Sequence, residues 1–408
     1  MASARDERND REGIAMNRTE LELAEINSIR IARVQAFAFR APIETPVATS
    51  FGVMNDRPAV LVRVEDDTGA HGWGEIWCNF PTCGAEHRVR FVDTVISPLL
   101  TSKCHAGPAA ASSMLGDATR ILAIQCGEPG PIHQAIAAID VALNDLVARR
   151  AGQPLYQYAG TNNASAEIPV YASGISPFDA ASTIVRARAN GYSAFKIKVG
   201  FEPRRDVAAA EAARDELKPD ERLMFDANQG WDLPTAKKMA AALVPTTPDW
   251  LEEPLAADRP SSEWQALANH VNIELAAGEN LSGDCSYQKA IDGGYLGVIQ
   301  PDVAKWGGFS GCLRVGRLAV QRGLRYCPHF LGSGLGLMAS AHLLASVGGE
   351  GRLEIDVNPN PLRDLFADRL LEIRDGRLKL PQGPGLGVEP DIAEAHQWLT
   401  LKSDFVAQ

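Results

Sequence analysis

The chain has 408 residues, 45% hydrophobic and 22% charged, enough apolar sequence for two ordinary cores and unlike a disordered protein. Its net charge of −11 argues against nucleic acid or an anionic membrane as partner, since both select for basic surface. No hydrophobic run is long enough to span a bilayer, and seven scattered cysteines without a CxxC pair point to free thiols in a reducing cytoplasm.

Residues 1–30 are rich in charge and lack the apolar core of a signal peptide, so a disordered extension is expected there, with Met16 offering an alternative start. From Ile31 the pattern turns to β. IARVQAFAF, a Pro- and Thr-rich stretch, AVLVRV and GWGEIW predict three strands, with a turn at Asp66, Asp67 and Gly69. Helical stretches follow around 84–100, 107–125 and 131–150. Strands followed by helices predict a separate α+β domain over residues 31–160.

Residues 161–370 alternate short β-rich runs with Ala-rich amphipathic helices. The eight runs are IPVYAS, AFKIKV, RLMFDA, WLEEP, IELAAGE, LGVIQPD, LRYCPHF and GRLEID. Each ends in a polar or ionisable residue: Ser173, Lys198, Asp226, Glu252, Glu279, Asp302, His329 and Glu354. The steps between them are 25, 28, 26, 27, 23, 27 and 25 residues, about one βα unit each. Eight such units close a (β/α) barrel, an α/β fold whose functional groups sit at the C-terminal strand ends. A doubly wound open sheet is the structural alternative, but it rarely ends every strand in an ionisable residue. Residues 371–408, with GPGLGVEPD, are expected to return to the N-terminal domain.

An acid at one strand end is most often a helix cap or a surface group. Asp226, Glu252 and Glu279 end three consecutive strands of one barrel, where three anions repel unless a cation neutralises them. Hard oxygen donors of this kind suit Mg²⁺. Glu253 is expected on the opposite face of its strand by alternation, as a structural partner. Lys196 and Lys198 share a strand face, so each ammonium favours deprotonation of the other, and a metal ion adds to that effect. A lysine so depressed serves as a base near neutral pH. Asp302 and His329 end neighbouring strands; the carboxylate fixes the imidazole tautomer and raises its pKa. Lys305 supports that site or is a surface lysine, with nothing in the sequence to choose. Glu354, if buried beside a substrate carboxylate, stays protonated and donates a hydrogen bond.

These motifs together resemble the mandelate racemase subgroup of the enolase superfamily over roughly residues 31–390. The matching elements are Lys196 and Lys198 in KxK, DAN from Asp226 to Asn228, EEP from Glu252, GEN from Glu279, PDxxKxGG from Asp302, His329, Glu354 and Ser173 in VYAS. The resemblance implies a modified (β/α)7β TIM-type barrel with an N-terminal α+β capping domain. It implies that Asp226, Glu252 and Glu279 hold Mg²⁺ and that Lys198 is one base. Asp302 and His329 would form the opposite acid/base, with Lys196, Glu354, Ser173 and Asn228 around the substrate. It also implies a hydroxy-acid or acid-sugar substrate and a homo-oligomer.

Loss of a metal ligand or of Lys198 would mark a non-catalytic relative, and none is lost. The related muconate-lactonizing subgroup carries a lysine where this chain has Asp302, which argues against cycloisomerase chemistry. Dehydration of an acid sugar is the favoured outcome, with racemisation of a 2-hydroxy acid as the alternative. The capping loops mix apolar residues (Val47, Phe51, Trp77, Phe80) with polar ones (Thr45, Ser50, Asn55, Asn79). Thr45, Asn55, Arg57 and Asn79 are candidate partners of a polyol chain.

Overall fold

A computed structural model describes residues 28–48, 52–160, 164–367 and 371–408. The expected extension over residues 1–27 and the lid positions Ser50 and Phe51 lie outside the described residues. Residues 29 and 30 do not belong to an extension, because Ile29 and Arg30 pair with His105 and Cys104.

The capping sheet comprises β1 (Ile29–Ala48), β2 (Val53–Asp66), β3 (His71–Ile76) and the short β4 (Cys104–His105). The Pro- and Thr-rich stretch is no break: β1 runs through it, and Ala48 pairs with Val53. Alternation explains why both faces of IARVQAFAF are apolar. Val34, Ala36 and Ala38 pack into the helical layer of the cap, while Phe37 and Phe39 join the core shared with the barrel.

The cap helices are Gly84–Phe91, continued by a π turn and Ser97–Thr101, then Pro108–Cys126 and Pro129–Arg150. The last lies so close to β3 that a Cβ at Gly72 or Gly74 would stand about 2 Å from a carbonyl of Ala142 or Ala138, at 2.1 and 2.0 Å. Asp145 on this helix accepts the N–H groups of Trp73 and Leu386, joining β3 to the C-terminal segment.

Eight parallel strands follow: β5 (Glu167–Ile175), β6 (Ala194–Lys198), β7 (Arg222–Asp226), β8 (Leu251–Glu252), β9 (Leu275–Ala277), β10 (Val298–Ile299), β11 (Arg325–Tyr326) and β12 (Leu353–Asp356). They pair in chain order from β5 to β11, and β12 pairs with β5. Across the last seam the Arg352 N–H donates to Cys327 Sγ at 3.4 Å. Helices of eight to fourteen residues follow β5 to β11, whereas β12 is followed only by Pro361–Ala367.

The barrel interior is built in layers. Tyr171, Ala194, Met224, Trp250, Ala276, Val298 and Cys327 form one buried apolar cluster, a residue from each of seven strands or their ends. Two residues further along the same strands stand Ser173, Lys196, Asp226, Glu252, Gly278, Gln300 and His329. The period of two puts both sets on the inner face, the second set nearer the C-terminal mouth.

The tail does not go straight back to the cap. A hairpin of β13 (Ile373–Arg374) and β14 (Arg377–Lys379) first adds antiparallel to β5. Only β15 (Leu399–Val406) then reaches the cap, pairing antiparallel with β1. Among the described residues no helix is long and apolar enough to cross a membrane.

Candidate active site

The polar layer and the strand ends above it converge at the barrel mouth. Asp226, closing β7, accepts Lys198 Nζ at 2.6 Å and lies 3.8 Å from Lys196 Nζ. Past it the backbone enters the left-handed region at Asn228 and Gln229 (φ 43° and 63°). That turn brings Asn228 Oδ1 within 2.8 Å of Lys198 Nζ, so the ammonium is seated between two oxygens. Lys196, fully buried, lies 2.5 Å from Glu252 Oε1 and 2.7 Å from Glu354 Oε1. The other oxygen of Glu252 accepts from Gln300 at 2.6 Å and from the Trp250 indole at 3.2 Å. Glu354 also accepts the Ser173 hydroxyl and the Phe330 N–H.

On the far side His329 Nδ1 lies 2.7 Å from Asp302 Oδ2, and Nε2 lies 2.9 Å from Glu279 Oε2. Lys305 reaches the same Glu279 oxygen at 2.7 Å, with its ammonium 4.9 Å from the centroid of the Trp77 ring. Burial works against the charge on His329, but Glu279, Glu354 and Asp302 outweigh it and hold the imidazole well above its usual pKa. The mouth thus gathers Ser173, Lys196, Lys198, Asp226, Asn228, Glu252, Glu279, Asp302, His329 and Glu354 into one connected network.

Among the side chains alone, several groups are held otherwise than expected. Lys198 is not depressed: burial lowers its pKa, but Asp226 and Glu252 more than reverse that, in spite of Lys196. Lys196 is likewise raised well above the ordinary value, because Glu252 and Glu354 outweigh burial. Nor do the side chains alone make Glu354 neutral, the expectation having been for a carboxyl beside a bound substrate carboxylate. Burial favours its protonated form, yet Lys196 and His329 hold its carboxyl below the usual range.

Glu253 does not keep to the opposite strand face. The strand ends at Glu252, and Glu253 has φ 39°, so alternation fails there. Its carboxylate accepts both bonds from the Asn280 amide, and burial, then Glu279 and Asp226, push its pKa well up.

Two of the lid residues, Arg57 and Asn79, are also placed otherwise than expected. Arg57 is buried in an ion pair with Asp356 at 2.5 Å, and Asn79 donates to the Leu331 carbonyl at 2.8 Å. Thr45 and Asn55 are exposed. Both buried candidates therefore spend hydrogen-bonding capacity on joining cap to barrel.

Gln300, Asn280 and Glu253 were missed as site residues, and Lys305 was left open. Gln300 was within reach of sequence reasoning, since it precedes Asp302 by two and shares its strand face. Asn280 adjoins Glu279 in GEN, but nothing in the sequence says that it turns towards Glu253.

Among the described residues no group of three or more His, Cys, Asp or Glu side chains is arranged to hold a metal ion as it stands. The oxygens of Asp226, Glu252 and Glu279 turn to ammonium groups instead. The donor set nevertheless fits a divalent cation by charge. With every group ionised, the six carboxylates of Asp226, Glu252, Glu253, Glu279, Asp302 and Glu354 would outnumber the four cationic groups, Lys196, Lys198, Lys305 and His329, by two negative charges. That surplus is visible at Glu252, whose carboxyl is pushed up to about 7 by burial and by Asp226 and Glu354, although Lys196 opposes them.

A barrel of this layout with acids on successive strand ends defines a class of enzyme, and comparison with known families gives the same class. Residues 31–160 match the mandelate racemase / muconate lactonizing enzyme N-terminal domain, and residues 179–395 match the enolase C-terminal domain-like family. The chain belongs to the mandelate racemase / muconate lactonizing enzyme family of the enolase superfamily.

A mandelate racemase/muconate lactonizing enzyme from Bordetella bronchiseptica RB50 shares 53% identity at a TM-score of 0.86, over 91% of this chain and 99% of that one. The L-talarate/galactarate dehydratase of Salmonella typhimurium is 34% identical over 284 residues, 68% of each chain. The L-talarate dehydratase of Polaromonas sp. JS666, solved with Mg and L-glucarate, is 26% identical at a TM-score of 0.78, over 94% of this chain and all of that one. Relatives also include cycloisomerases and a racemase of N-succinyl amino acids.

Proposed function

We propose that the chain removes the α-proton of a hydroxy-carboxylate in a Mg²⁺-dependent step and then eliminates water from the β-carbon, as an acid-sugar dehydratase. The carrying observation is the pair Lys198 and His329, presented by β6 and by the end of β11 in one closed ring of strands. Two strands separate them on one side and four on the other. Magnesium held by Asp226, Glu252 and Glu279 supplies positive charge against the second negative charge that deprotonation builds on the carboxylate. Lys196, with Glu354 and Ser173 beside it, orients that carboxylate and opposes the same charge. Asn228 steers Lys198.

Lys198 takes the α-proton, for which it must first shed its own. Asp226 holds that proton on, so neutralising Asp226 is a condition of the step. His329, kept protonated by Asp302 at Nδ1, donates to the β-oxygen as the C–O bond breaks, and water leaves. The enol left behind becomes a 2-keto acid. The dehydratases among the relatives support this outcome. A cytoplasmic location and a homo-oligomer are part of the same reading, checked by fractionation and light scattering.

The test is a panel of aldonic and aldaric acids and their lactones, with 2-keto products trapped by a carbonyl reagent, beside 2-hydroxy acids followed by polarimetry. Keto-acid formation from a sugar acid, abolished by chelator and restored by Mg²⁺, is expected. Racemised hydroxy acids without any keto product would replace dehydration by racemisation. Full turnover in chelator would remove the metal from the reading.

A further inference from the structure

The capping sheet and the loop after His329 meet at one buried carboxylate. Glu75 of β3 is 3% exposed and lies between the two domains. It accepts the Ser333 N–H at 2.6 Å, the Ser333 hydroxyl at 2.6 Å and the Gly336 N–H at 2.8 Å. These donors open the helix Gly334–Val347, whose N-cap is Ser333. A helix start leaves its first N–H groups without internal partners, and its dipole favours a negative charge there. Glu75 fills that need from another domain. The loop is shaped around it: a Cβ at Gly332 or Gly336 would stand 2.6 or 2.9 Å from its oxygens. Burial outweighs the lowering effect of Ser333 and Gly336 and leaves the carboxyl raised to about 7, so the site is built on the geometry of three donors around two oxygens.

We propose that Glu75 is a positioning residue for His329, fixing from the cap the loop of residues 330–333 on which the imidazole hangs. Only four positions separate His329 from Ser333. The loop is held at its start by the Phe330 N–H on Glu354 and at its middle by Asn79 on the Leu331 carbonyl. Glu75 secures its far end. With both ends fixed, the 2.7 Å contact of His329 with Asp302 is defended against drift of the ring. A misplacement of about 1 Å costs a catalytic group up to roughly 100-fold in rate. The sequence GWGEI, part of the predicted third strand, thus carries a residue of the catalytic machinery's support as well as a close helix contact.

The inference rests on His329 being the acid of the proposed reaction, and the experiment separates the two. Hydrogen–deuterium exchange of the full chain is compared with Glu75→Gln, Ser333→Ala and Arg57→Gln, each checked for folding by thermal melt. Glu75→Gln replaces one of the two accepting oxygens by an amide nitrogen that cannot accept, and should speed amide exchange in the peptide spanning 330–337 by about ten-fold or more. Ser333→Ala removes one donor and should speed it less, which keeps the test alive if Glu75→Gln fails to fold. Arg57→Gln breaks a different tie between cap and barrel and should leave that peptide unchanged. No change in Glu75→Gln, or an equal change in Arg57→Gln, overturns the proposal.

Turnover of the sugar acid that the panel above identifies supplies the second arm. Glu75→Gln should lower kcat about ten-fold or more with KM nearly unchanged, since only the acid's placement is altered. Normal kcat in Glu75→Gln beside a dead His329→Asn overturns the inference alone. Normal kcat in His329→Asn overturns the assignment of the acid, whatever the exchange shows.

Discussion

The two layers inside the barrel lie two residues apart on the same strands and could hardly differ more. The lower, from Tyr171 round to Cys327, is apolar and excludes water by volume. The upper, from Ser173 round to His329, carries charges that would be intolerable at that depth if unpaired. It survives because the ammonium groups of Lys196 and Lys198 sit within 2.5 to 2.8 Å of oxygens. The dry layer beneath also makes the charges above it effective, since little solvent screens them from one another. The lesson is that the lower layer should govern stability and the upper layer chemistry, and each prediction below breaks or sharpens that division.

The largest effect belongs to the upper layer. Lys198→Ala and His329→Asn should each lower kcat by about 10² to 10⁴, the usual share of a general acid or base. Each also takes a cation from a buried carboxylate, Asp226 for Lys198 and Asp302 for His329, so a lower thermal midpoint is expected as well, while a collapse of the fold in either variant would blur the division. In the lower layer the expectation is reversed. Met224→Ala should cost about 2–5 kcal/mol by transfer and cavity terms. Denaturant unfolding checks this, with KM expected to stay near the wild-type value.

Histidines sharpen the contrast. His329, among carboxylates, is held protonated, whereas His342 is buried with the Tyr156 N–H donating to its Nδ1 at 3.1 Å and only the Leu386 carbonyl near Nε2. Burial holds His342 down to about 4 from 6.5, so it is neutral in the fold. A depressed base stabilises the fold fully above its unfolded pKa. That stability, about 3 kcal/mol at most, is lost as pH falls from 6.5 through about 4. Stability measured across that window should flatten in His342→Gln, and an unchanged slope would refute the assignment.

The smallest effect tests the charge surplus. Glu253→Gln should stabilise the chain in chelator by about 1 kcal/mol, since it relieves like charges facing Glu279 and Asp226. Asp226 should behave oppositely, because its carboxylate is paired with Lys198, and Asp226→Ala should destabilise. A lower melting point for Glu253→Gln would show that the bonds from Asn280 matter more than the repulsion.

What the sequence determined by itself was the barrel and the membership of its mouth. Each βα unit consumes a similar length, so a step near 26 residues between Ser173 and Glu354 was enough to place the strand ends. A period of two then put Lys196 with Lys198 on one face. Local rules of this kind survive folding because they depend only on chain geometry. The tertiary structure decided what those rules could not reach. One backbone angle at Glu253 cancelled alternation and turned a supposed outward residue towards Asp226 and Glu279. The protonation of Lys196, Lys198 and Glu354 followed from which carboxylates and ammonium groups other strands bring within 3 Å, a sum over partners far apart in the chain. Arg57, Glu75 and Asn79 were assigned to joining two domains by contacts that exist only once cap and barrel are docked.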